Sequence, residues 1–78
     1  MTLDQAPTGV PLTVVAAAPT SAAVTRRLAE LGIRIGVVLT VASRTSGGGA
    51  IVAIVDDRLA VSRSILTGIH VDRAPANV

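Results

Sequence analysis

RRLAELGIRIGVVLTV, residues 26–41, carries a helix end, two glycine bends and the start of a strand. Val24, Leu28 and Leu31 recur at i, i+4 and i+7, so one face of a helix from Ser21 to Leu31 is apolar. Arg26, Arg27 and Glu30 fall on its outer faces. Gly32 follows the last periodic residue and suits the left-handed C′ position, from which Ile33 packs back on Leu28 as in a Schellman motif. Gly36 makes the second bend. VVLTVAS (37–43) then alternates, with Val37, Leu39 and Val41 sharing one strand face.

Working outward, Thr20 or Ser21 offers a side-chain oxygen to cap the helix, and Pro19 closes the segment before it. LTVVAA (12–17), with three β-branched residues, reads as the first strand. MTLDQAPTG reads as a loop ending in a turn at Gly9. Downstream, RTSGGG (44–49) reads as a mobile turn and AIVAIV (50–55) as an apolar strand. Asp56-Asp57 turns the chain into LAVS (59–62). RSILTG reads as one helical turn ending at Gly68, and residues 69–72 form a last strand with Ile69 and Val71 facing one way. The pattern predicts a mainly β fold, a small bent sheet or barrel of about five strands, with the helix between strands 1 and 2. One domain over residues 1–72 is expected, followed by a frayed tail at 73–78.

Half of the 78 residues are hydrophobic, yet Phe, Tyr and Trp are absent, so the core must come from Val, Ile, Leu and Ala. Without cysteine there are no disulfides and no thiolate metal sites. Seven Arg against five acids give only +2, and no aromatic ring is present for base stacking, so direct nucleic-acid binding is not expected. No apolar run approaches the ~20 residues that span a bilayer. Residues 12–18 lack the positive charge that precedes a signal peptide's apolar segment, and Asp4 stands there instead. A cytoplasmic location is expected, with self-association open to so apolar a chain.

No set of residues assembles a nucleophile, a base and an oxyanion hole, so no catalytic residue is assigned. Gly47 to Gly49 lack the Lys-Ser/Thr of a phosphate loop and join two strands. Asp56 and Asp57 are turn formers first. His70 and Asp72 share a strand face and are the candidate metal ligands, with Glu30 elsewhere in the chain. They fall short of the three or four ligands of a zinc site. Arg26, Arg27, Arg34 and Arg44 are the candidate partner-binding residues, their planar guanidinium groups suiting bidentate contact with carboxylates.

The run from Arg26 to Val41 resembles the signature of the FeoA family, in which Arg-Leu-x-x-Leu/Met-Gly ends a helix and a second glycine turn starts a strand. The resemblance continues through Leu59-Ala60-Val61 and Ile69-x-Val71, and loosely to Leu3 and Gly9, covering most of the chain. Thr45 to Gly49 replace the family's usual Pro-Leu-Gly-x-Pro loop. Ile35 stands where a proline commonly precedes the turn glycine, and Ser62 where Arg is frequent.

The resemblance implies an SH3-like β-barrel and a non-enzymatic, cytoplasmic accessory role in ferrous iron uptake. The implied partner is the cytosolic region of the FeoB membrane transporter. It implies no required cofactor, though transition-metal binding belongs to the family's context. The alternative is a stand-alone regulatory module related to the C-terminal domain of DtxR-type iron-dependent repressors. A generic SH3-type peptide binder fits poorly, since a polyproline groove needs aromatic walls.

Overall fold

The computed structural model describes residues 1–17 and 22–74. In chain order these form a 3-10 turn (Leu3–Gln5), β1 (Leu12–Ala17), α1 (Ala22–Glu30), β2 (Val38–Arg44), a second turn (Ser46–Gly48), β3 (Ala50–Ile54), β4 (Asp57–Val61), the short α2 (Arg63–Leu66) and β5 (Ile69–Arg73). All neighbouring strands pair antiparallel in one sheet of order β4-β3-β2-β1-β5. The mainly β architecture with one helix between β1 and β2 is as the sequence pattern predicts. The barrel is not closed: β4 and β5 are the two ends of the sheet, with α2 linking them.

Curvature comes from two bulges. Val15 is unpaired between Val14↔Val71 and Ala16↔His70, and Ala42 is unpaired between Val41↔Val52 and Ser43↔Ile51. An extra residue on one strand bends it and increases its twist, which rolls the sheet around its apolar face. That face buries Leu12, Val14, Leu39, Val41, Val52, Ile69 and Val71, joined by Leu66 from α2 and Leu28 from α1. Among the described residues the core is aliphatic throughout, with no polar or charged residue buried in it.

The N-terminal segment is more than a loop. Leu3 is completely buried and Ala6 nearly so. Met1 exchanges backbone hydrogen bonds with Val71, its N donating to the Val71 carbonyl at 3.3 Å and its carbonyl accepting from Val71 N at 2.8 Å. Each buried aliphatic side chain contributes roughly 1.5–3 kcal/mol, so a small core has reason to recruit Leu3.

The end of α1 has the expected Schellman geometry. Ile33 N donates to Leu28 O at 2.8 Å and Gly32 N to Ala29 O at 3.1 Å, with Gly32 at φ +99°. The expected cap at Thr20 or Ser21, and the first residue of the expected helix, lie outside the described residues. Of the apolar stripe only Leu28 is buried, whereas Val24 and Leu31 remain half-buried. Gly36, at φ +94°, sits third in the turn that Val37 N closes on Arg34 O at 3.1 Å, the position where a type II turn needs positive φ.

The β3–β4 turn differs from expectation by one residue. Ile54 pairs with Asp57, so Val55 and Asp56 form the two-residue loop and Asp57 begins β4. Val55 has φ +53°, a conformation unfavourable for a β-branched residue, and is 92% exposed. Segment 44–49 closes with backbone hydrogen bonds from Thr45 N to Gly49 O and from Gly48 N to Thr45 O. β5 continues through Arg73, and Ala74 N reaches Pro11 O at 3.0 Å. The rest of the expected tail, residues 75–78, lies outside the described residues.

Candidate partner interface

Two of the four candidate arginines hold the fold's own carbonyls. Arg34 Nε donates to Ala29 O at 3.1 Å, placing a cation at the negative end of α1. Arg44 is brought to the inner side of β2 by the bulge at Ala42, opposite buried Ala50. From there its Nη2 donates to the carbonyls of both Leu3 and Ala6, fastening the N-terminal turn to the sheet.

Arg26 and Arg27 are exposed on α1, and their side chains make no hydrogen bond or ion pair within the described chain. Arg27 stands at the mouth of an apolar groove of about 110 Å³ lined by Val24, Leu28, Leu31, Ala60, Val61 and Ile65. The half-buried residues of the α1 stripe therefore face a surface groove beside β4. A second hollow, about 410 Å³, lies on the other side of Ala60 and Val61, between segment 45–49, Ser62 and Arg63. It gathers the Thr45–Gly49 loop and Ser62 into one place. Ser62 Oγ lies 3.2 Å from Ser64 Oγ there, and the Arg63 stem packs over Gly48. A third hollow, about 250 Å³, runs from Ala17 to Ile35 along the other side of α1, and Ile35 is 69% exposed.

His70 and Asp72 are exposed on the outer face of β5, two residues apart. Among the described residues no group of three or more His, Cys, Asp or Glu comes together, so Glu30 does not join them.

Two residues on and beside β4 escaped sequence reasoning. Arg58 on β4 and Arg63 at the start of α2 are exposed, and their guanidinium groups have no hydrogen-bond or ion-pair partner among the described residues. With Arg27 they frame the β4 edge. Arg58 directly follows Asp56-Asp57 in the sequence, so a sequence reading assigns it to the turn.

Comparison with known proteins fits this architecture. The family model for the FeoA domain matches residues 1–73. The chain is similar to the crystal structure of Stenotrophomonas maltophilia FeoA complexed with zinc, described as a prokaryotic SH3 domain protein. Identity is 29%, over 92% of this chain and 89% of that one, with a TM-score of 0.77. It is also similar to the solution structure of FeoA from Chlorobium tepidum, at 28% identity over 100% of this chain and 74% of that one, TM-score 0.86. The manganese regulator SloR shares the fold alone: 12% identity, TM-score 0.81, over 95% of this chain and 34% of the regulator. No curated protein sequence matches. No helix among the described residues is long and apolar enough to cross a membrane. A five-stranded SH3-like sheet, one Schellman-capped helix and a domain match over nearly the whole chain lead to one statement: the protein belongs to the FeoA domain family.

Proposed function

We propose that the protein is a non-enzymatic, cytoplasmic accessory factor of ferrous iron uptake that binds the cytosolic region of an FeoB-type transporter. The observation that carries this reading is the family match over residues 1–73. The similar S. maltophilia protein is put forward as a ferrous iron transport activating factor. The surface suits such work. An apolar groove beside a strand edge, framed by unpaired guanidinium groups, binds a protein by shape and charge.

Ferrous iron uptake in a bacterial strain lacking its own FeoA, but retaining FeoB, tests the reading. Restored uptake that depends on FeoB is expected. Failure of a well-expressed, folded chain to restore uptake, together with no binding to the matching FeoB cytosolic region, overturns it.

A further inference from the structure

We propose that the open edge of β4 receives an extended acidic segment of a partner protein, which adds to the sheet as a sixth strand. The proposal rests on the partner-binding reading above and names the surface that binding uses.

The two sheet edges are not equivalent. The β5 edge is occupied by the chain's own N-terminus, through the Thr2↔His70 bridge and the Met1–Val71 hydrogen bonds. The β4 edge has no such cover among the described residues. In an antiparallel hairpin with a two-residue loop, hydrogen-bonded and non-hydrogen-bonded pairs alternate outward from the turn. With Ile54↔Asp57 as the first hydrogen-bonded pair, Val52↔Leu59 and Ala50↔Val61 are the next two. Arg58 and Ala60 then direct their N–H and C=O groups away from β3, into open space. Those groups are what an added strand pairs with.

What flanks the edge defines the partner's chemistry. Ala60 and Val61 line both the apolar groove beside α1 and the second hollow beside segment 45–49. The groove, about 110 Å³, has room for an aliphatic side chain, which gives the added strand an anchor. Arg27 lines that groove, Arg63 lines the second hollow and Arg58 stands on β4 itself, with no carboxylate of the described chain paired to any of them. Three unpaired guanidinium groups beside four unpaired backbone groups favour an extended segment bearing carboxylates. A second copy of the chain brings the same three arginines to the seam. Its own acids, Asp56 and Asp57, sit at the hairpin end, so self-pairing is the competing outcome.

The experiment follows amide signals of the labelled full-length chain by nuclear magnetic resonance. One titrant is a short capped peptide alternating glutamate with valine or leucine, another its lysine counterpart, and a third the cytosolic region of the FeoB-type transporter. The expected result with the acidic peptide is shift changes confined to α1, β4 and α2. The Ala60 amide, exchanging freely in the free chain, becomes protected. Reversing two arginines by Arg58→Glu with Arg63→Glu weakens binding about tenfold, while Arg73→Glu on β5 leaves it unchanged. Ala60→Pro removes the outward N–H without breaking the β3 ladder, so the chain stays folded and loses the peptide. If this variant does not fold, the arginine variants and amide exchange decide alone.

Equal binding of the lysine peptide, changes located elsewhere, or a β4-paired dimer by ultracentrifugation each overturns the proposal. If the acidic peptide binds β4 and the transporter region binds nowhere, the functional reading falls and the edge assignment stands. If the transporter region binds away from β4, the reverse holds.

Discussion

Replacing exposed Val55 by glycine is expected to stabilise the protein. Val55 occupies the first position of the two-residue β3–β4 loop at φ +53° and is 92% exposed, so its side chain contributes almost no burial. An L-residue held in the left-handed region costs roughly 1–2 kcal/mol, and β-branching moves Val toward the upper end. Glycine removes that cost and is the residue a type II′ hairpin prefers at this position. Against the gain stands the greater backbone freedom of glycine in the unfolded chain, about 0.4–1 kcal/mol. With the strain taken as about 1.5–2 kcal/mol, the difference is a stabilisation of about 0.5–1.5 kcal/mol. For a domain of this size, each kcal/mol moves Tm by about 4–8 °C, so V55G is expected to melt about 2–12 °C higher. Val55→Ala keeps positive φ and a Cβ, and is expected to change Tm far less. Thermal and urea unfolding by far-ultraviolet circular dichroism is the assay, because the chain has no tryptophan or tyrosine for fluorescence. A lower Tm for V55G than for wild type refutes the strain argument.

Gly32→Ala meets no neighbouring atom within 4 Å, so its expected cost of about 1 kcal/mol comes from φ +99° alone; urea midpoints check it. Gly49→Ala acts by contact instead, since a Cβ there falls 2.7 Å from Thr45 Oγ1 and 3.0 Å from Val61 O. Destabilisation of about 1–3 kcal/mol is expected in the same assay. Arg44→Met strips both carbonyl contacts from the N-terminal turn, and faster hydrogen exchange at Gln5 and Ala6, whose amides close that turn, is the expected signature. Arg27→Glu, exposed and unpaired, is expected to leave stability within about 0.5 kcal/mol of wild type while weakening partner binding.

What the sequence revealed was local, and what it hid was not. The helix stop needs only Leu28, Gly32 and Ile33, three neighbours that meet within one turn. β1 was legible over its whole length because Thr13, Val14 and Val15 are β-branched and Pro19 closes the segment. The β3–β4 turn slipped by one because Val55 has the composition of a strand and the dihedral of a loop. Simple alternation from Leu39 and Val41 points Arg44 outward, to a partner. The bulge at Ala42 reverses it, toward the N-terminal carbonyls. The open edge of β4 depends on strand order, which no window of sequence carries, so Arg58 and Arg63 went unnoticed. Two strand-face readings hold in their central residues: Leu39 with Val41, and Ile69 with Val71, all face the core, whereas Val37, expected on the first of these faces, precedes β2 and is half-buried.

The central claim is that this FeoA-domain protein works by binding a transporter's cytosolic region through the face shared by α1 and β4. Calorimetric titration of that region with wild type and with the Arg27→Glu, Arg58→Glu double variant tests it most directly, with both chains first shown to melt alike. The account predicts saturable one-to-one binding by wild type and an affinity about tenfold lower for the double variant. Absence of binding by wild type, or equal binding by the two chains, contradicts it.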